Sequence, residues 1–336
     1  MKAVSSHLVG VAVALGLLAP SPHILAADIN YLPDDTVLVA AVNLKQIFDS
    51  EMLKRQPDAI GEMKEVLRHF AGIQTVQKYL RECGLDAFKH VKIITYVYTG
   101  STSPKLSFVI LDGTFDTATF ADNSNGIRRR NSGKTPVYEI TPRGEQTFHV
   151  VLVNATTIIA ASDAASIDEA LARSAGSKKS GLKKEMQSWL TSFDDRRSIS
   201  FVSTGGAMAK LTQGVSIANI ETAGSFLQTL SSFSGGLTLA KGIAFEVCLN
   251  AESEESAKKL TESAASGLRM LRTLAETSAE KDRKYLPLVD VVKKLEASQR
   301  GVRICIRCEL SIDTVEKLIS IFPVHPSQKG REAPAP

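Results

Sequence analysis

The sequence predicts an α+β protein of two similar halves, each a mostly antiparallel sheet covered by helices on one face. Three observations lead there. Short β-branched runs alternate with longer segments whose apolar residues recur every three to four positions. Several strands come in adjacent pairs with short connections, which suits antiparallel pairing. Each half also repeats one order: a buried strand, a helical region, then strands feeding a helix that opens Ser-Ile-Asp. That tripeptide stands at Ser166-Ile167-Asp168 and again at Ser311-Ile312-Asp313.

Residues 1–26 read as a secretory signal peptide. Lys2 gives the positive start, Leu8 to Leu18 an apolar stretch, and Pro20 and Pro22 break the helix before the small residues Ala26 and Ala27. Cleavage after either alanine fits. The apolar stretch is far shorter than the ~20 residues that span a bilayer, and no later segment is longer. The mature chain is therefore expected to be soluble, without a transmembrane segment, and periplasmic or extracellular.

The first domain, 27–175, opens with the turn Tyr31-Leu32-Pro33-Asp34-Asp35-Thr36 and a strand over Val37–Val42. Residues 44–83 have a helical pattern, with Val66, Phe70, Ile73, Val76 and Leu80 on one stripe and Gly84 as the stop. Strands follow at Val91–Tyr98 and Lys105–Leu111, then a short helix from about Thr114 and a basic loop at Arg128–Arg130. Strands Phe148–Val153 and Thr156–Ala160 meet at Asn154-Ala155, and a helix begins near Ser166. Residues 176–195 read as a linker with a short helix around Trp189.

The second domain, 196–322, starts with strand Ser198–Val202, passes through helical or irregular residues 205–233, and reaches strand Gly242–Leu249. Ser203-Thr204-Gly205-Gly206 and Ser234-Gly235-Gly236 read as strand-end turns. Ser253 caps a long helix to about residue 279, with Leu260, Ala264, Leu268, Leu271 and Ala275 as its buried stripe. A helix over 285–298, a strand Val302–Leu310 and a helix Ser311–Ile321 complete it. The tail, 323–336, has no apolar pattern and is expected to be disordered.

Three stretches carry a resemblance. They are Leu32-Pro33-Asp34-Asp35-Thr36 before an apolar strand, Gly84-Leu85-Asp86-Ala87-Phe88-Lys89 before Val91–Tyr98, and the hairpin Asn154–Ala161 leading through Ser162-Asp163 into a helix. Together they resemble the uncharacterised exported proteins of planctomycete bacteria, although Ala87 stands where proline is expected. The resemblance implies an exported α+β protein and brings no catalytic residue with it.

Composition narrows the function classes. With 336 residues, 43% hydrophobic and 23% charged, the chain has enough apolar mass for a core. A net charge of +4 is too slight for a nucleic-acid footprint. Ser132-Gly133-Lys134-Thr135 imitates the tail of a phosphate-binding loop. The required earlier glycine is replaced by Arg128, and Pro136 follows where a helix should start, so no cofactor is expected.

Cys305 and Cys308 lie inside a strand, which turns their thiols to opposite faces, and no second ligand pair exists for structural zinc. The same alternation places Cys305, Arg303 and Arg307 on one face of their strand, and Glu246 and Cys248 on one face of theirs. If these strands pair antiparallel, Cys248 can oppose Cys305 in a disulfide, with Cys83 and Cys308 left as buried thiols. Four unpaired cysteines remain the alternative.

His69, His90, His149 and His325 form no metal-ligand spacing, no GxSxG motif occurs, and Asp34/Asp35 and Asp194/Asp195 sit in turns. No catalytic, cofactor or metal residue is assigned. Arg128, Arg129, Arg130 and Lys134 form a candidate contact for envelope lipid or glycan. The expectation is an exported, non-catalytic binding or scaffolding module of the cell envelope, with an envelope protein, lipid or glycan as partner. The alternative is an exported hydrolase whose site assembles from distant residues.

Overall fold

The computed structural model describes residues 29–57, 59–69, 73–100, 108–116, 127–133, 135–142, 146–191, 193–211 and 230–321. The expected leader, the tail, Phe70, Lys134, His325 and the side chain of His69 lie outside the described residues. So does most of the helix expected after Thr114, whose first residues, 114–116, are irregular.

Among the described residues there are twelve strands: β1 (Thr36–Asn43), β2 (Val91–Thr99), β3 (Phe108–Gly113), β4 (Ile127–Ser132), β5 (Thr135–Ile140), β6 (Phe148–Asn154), β7 (Thr157–Ala161), β8 (Ile199–Thr204), β9 (Leu230–Leu239), β10 (Gly242–Ala251), β11 (Glu296–Arg300) and β12 (Arg303–Ser311). They form one sheet, in the order β11-β12-β10-β9-β8-β1-β2-β3-β7-β6-β5-β4. The two halves thus share a sheet instead of building one each. The joint is β1 against β8, antiparallel from Leu38↔Ser203 to Val42↔Ile199. Asn43 N–H adds a bond to Ser198 O at 2.9 Å. Both strands gain a partner on their second edge, so neither apolar run is left as a sheet margin.

The helices are α1 (Leu44–Asp49), α2 (Glu51–Lys54), α3 (Ala59–His69), α4 (Ile73–Glu82), α5 (Ala87–His90), α6 (Ala164–Ser174), α7 (Lys184–Leu190), α8 (Gly205–Leu211), α9 (Glu254–Lys281), α10 (Leu286–Lys293) and α11 (Ile312–Ile321). Each central strand is followed by helix and then by two adjacent strands, β1 by α1–α5, β2 and β3, and β8 by α8, β9 and β10. Beyond that point the halves differ.

Helices cover both faces of the first half, not one. Strand neighbours Ile110/Leu111, Val137/Tyr138, Val150/Val151 and Ile158/Ile159 divide between two separate apolar cores. One core takes α1–α5, and also α11 over β10 and β12; the other takes Ile167 and Ala170 of α6 with Met186 and Leu190 of α7. A strand buried on both sides has to be apolar at consecutive positions, which is what the β-branched runs provide.

The stripe expected through 66–80 is divided between α3 and α4, which are separate helices. The stop at Gly84 takes φ +71°, and Leu85 N–H closes on Leu80 O at 2.8 Å, a glycine-ended helix cap. On the other face, Arg173 of α6 has a side chain only 1% exposed. It donates to Asn30 O at 3.1 Å and pairs with Asp34 at 3.4 Å and Glu169 at 3.1 Å, fastening α6 to the entry turn.

Helix α9 departs from its expected packing. Its buried residues are Ala257, Ala275 and Ala279, while Leu271 is 48% exposed. The N-terminal end meets Ala251 and Ile304, and the C-terminal end meets Val289 of α10. Between those points Leu260, Ala264 and Leu268 are half-buried and Arg272 donates to Leu295 O at 3.5 Å, while Met270, Leu271 and Leu274 face solvent.

Ser234-Gly235-Gly236 is not a turn but the middle of β9, paired on both sides. A Cβ on Gly235 would lie 2.6 Å from Glu246 O and 2.9 Å from the Phe201 ring. Backbone cannot yield as a flexible side chain does. Gly235→Val is expected to lower stability by about 1–3 kcal/mol, read as a shifted urea midpoint. An unchanged midpoint would contradict this tight approach.

Candidate functional site

Strands β10 and β12 run antiparallel with Glu246 opposite Arg307, Cys248 opposite Cys305 and Asn250 opposite Arg303. Alternation sends these side chains to the face opposite α11, where Cys248 and Cys305 are joined in a disulfide. That bond closes a sequence separation of 57 residues. In the chain-entropy picture such a closure is worth about 4 kcal/mol. Cys83 and Cys308 are free and buried; burial pushes the Cys83 thiol up to about 12 and the Cys308 thiol up to about 11. Both stay protonated near neutral pH and are poor nucleophiles.

Beside the disulfide, Glu246 is only 8% exposed and serves two arginines. Arg307 donates to Oε1 from Nε at 2.8 Å and lies 2.6 Å away through Nη2, while Arg197 Nη2 donates to Oε2 at 3.2 Å. Arg197 also faces Asp194 at 3.8 Å, and Arg303 Nε donates to Cys305 Sγ at 3.4 Å. The face read from sequence as outward is therefore covered at its centre by arginine side chains. Gly236 makes room for one of them, since a Cβ there would meet Arg197 Cδ at 2.6 Å.

Chemically this arrangement is a clamp. Donor atoms of Glu246, Cys248 and Cys305 lie within 4.8 Å of one another, the spacing of a metal-binding trio. The two sulfurs are bonded to each other and both carboxylate oxygens are engaged by arginines, so the disulfide form has no donors to spare. The adjoining cavity is about 10 Å³, room for a single water. Two larger hollows, about 500 and 610 Å³, flank the β9–β10 turn at Ala240 and Lys241, and both are open to solvent.

The basic cluster is divided. Arg128–Arg130 lie on β4, a margin strand of the sheet, and not in a loop. Arg129 stands opposite Tyr138, while Arg128 and Arg130 stand opposite Glu139 and Val137 and face the other way. Arg130 pairs with Asp168 of α6 at 3.2 Å. Ser132 and Thr135 close the hairpin around Gly133, so the phosphate-loop imitation is a strand turn.

Neither described histidine is held by a serine. His90 Nδ1 accepts from Asp86 N–H at 2.9 Å, and His149 Nδ1 lies 4.0 Å from Glu139. Sequence reasoning missed Asp112, an acid inside the apolar strand β3 whose Oδ2 is buried without a hydrogen bond. The only available signal was the charge within an otherwise apolar run. Burial, helped by the charge of Asp195, pushes the Asp112 carboxyl up to about 6.

No protein-family model matches the chain, and no curated protein matches it in sequence. Among solved structures it is similar to crystal form III of TP0453, with TM-score 0.44 and 10% identity over 90% of this chain and 98% of that one. Crystal form I of TP0453 gives 0.44 and 9% identity over 89% and 100%. This likeness assigns no role to any residue.

Two outcomes follow from the geometry. Peptide mapping without reductant is expected to recover Cys248 linked to Cys305, with Cys83 and Cys308 alkylated only after unfolding. Free alkylation of both Cys248 and Cys305 in protein matured under oxidising conditions would exclude the bridge. For Asp112, a folded-state value above the unfolded one means that ionisation opposes folding. Stability then falls as pH rises from about 4 through about 6. Asp112→Asn should flatten that decline and gain on the order of 1–2 kcal/mol at pH 7, discounted for partial exposure. An unaltered stability-versus-pH curve in the variant would show that Asp112 ionises freely.

Proposed function

We propose that this chain is an exported, non-catalytic binding or scaffolding module of the cell envelope and that the middle of α9 is its contact surface. One observation supports the reading most. Met270, Leu271 and Leu274 are 66%, 48% and 53% exposed on a helix whose fully buried residues lie towards its two ends. Large apolar side chains clustered at helical spacing and left in water mark an interaction face more often than chance. Arg269 and Arg272 stand among them, and no acid lies between residues 263 and 275.

Export rests on the leader pattern of residues 1–26, in keeping with the resemblance to exported planctomycete proteins. No described helix is long and apolar enough to cross a membrane. The hydrolase reading would need a serine, histidine and acid brought together, and neither His90 nor His149 has that company among the described contacts.

The test is retention from the organism's own envelope fraction on immobilised mature protein, beside a Met270→Ser/Leu271→Ser/Leu274→Ser variant. The same protein, lipid or glycan species should be enriched by the native chain and lost from the variant, whose melting temperature stays within a few degrees. Equal enrichment by both would remove α9 from the function.

A further inference from the structure

We propose that the free margin of β4 accepts an acidic, extended segment of a partner polypeptide as an added strand. This is independent of the α9 ridge and uses different residues. Among the described residues strand β4 ends the sheet and pairs only with β5, in register from Ile127↔Ile140 to Ser132↔Thr135. With a two-residue turn closing that register, Ser132, Arg130 and Arg128 bond inward to β5. Ile127, Arg129 and Asn131 then turn their N–H and C=O groups outward. A peptide in β conformation finds there a row of main-chain partners, the basis of strand addition.

Side chains decide which peptide. Arg128 and Arg129 are exposed and form no ion pair with the described residues, whereas Arg130 is held by Asp168. The strand alternation puts Arg128 on one face and Arg129 on the other. An incoming strand with consecutive acidic residues therefore sets one acid beside each free arginine, since its own side chains alternate in the same way. The same charges refuse a second copy of β4, because self-pairing would place arginine near arginine on both faces. They act as attraction towards one class of strand and repulsion towards another. The opposite margin, β11, carries Glu296 and Arg300 and has no such bias, so it serves as an internal comparison.

The probe is a labelled peptide of about ten residues, ordinary strand length, with three consecutive glutamates flanked by threonine and valine. Its binding to the mature protein is followed by fluorescence anisotropy. Binding should weaken with added salt and fall about tenfold for Arg128→Ser/Arg129→Ser. It should also be lost when alternate peptide amides are N-methylated, which removes main-chain donors and keeps every charge. Circular dichroism of the double variant guards against misfolding. Equal binding of the N-methylated peptide would overturn strand addition and leave a simple polyanion or anionic-lipid contact. Unchanged binding by the double variant, or no binding of the unmodified peptide, would overturn it as well.

Discussion

The hydrogen-bonded seam between β1 and β8 is the constraint on which the rest of this molecule depends. Among the described residues it is where β1–β7 join β8–β12, and it makes two strand sets into one sheet. Everything else is laid outward from it. Helices α1–α5 leave β1 and return to β2, and β9 and β10 build outward from β8. Loss of this seam would leave two apolar strand margins in water where the fold now has none.

Two charge clusters, one around buried Arg173 and one around buried Glu246, reinforce that plan at points where the chain has to be held in place. Arg173 ties α6 to the entry turn before β1, and Arg197 with Arg307 ties the approach to β8 to the outer strands through Glu246. In each, a planar guanidinium spans elements distant in sequence, a task suited to a fork of fixed donors. Such pairs add little net stability over a packed apolar contact, yet removing one partner strands the other's charge in a poorly hydrated site. Their value is in fixing which surfaces meet.

Much of the strand content was legible because β-branched runs and alternation report directly on faces. Alternation alone put Cys248, Cys305, Glu246 and Arg307 on facing sides of two strands. What it could not report is adjacency between strands, so one sheet was read as two: apolar pattern encodes which side is buried, not which neighbour supplies the edge. Gly235 and Gly236 misled for a related reason. Glycine has the same local meaning in a turn as in a strand pressed against Glu246 O and Arg197, and only tertiary structure separates them. Three consecutive arginines likewise resembled a solvated loop, since a margin strand tolerates charge on both faces. The stripe on α9 is expected to be buried at Leu271, which is instead 48% exposed, because periodicity cannot show whether a neighbour covers it. Asp112 carried no pattern at all.

The seam also has a kinetic side. A ribosome delivers β1 early, and the strand that completes its second edge arrives only after the whole first half has been made. In the interval Val37–Val42 presents an unfilled apolar margin, the kind of edge that recruits other nascent chains. Contacts so remote in sequence also close slowly. Chain order therefore leaves one edge of β1 open until β8 has been made, and a chaperone would shelter that short segment in the interval.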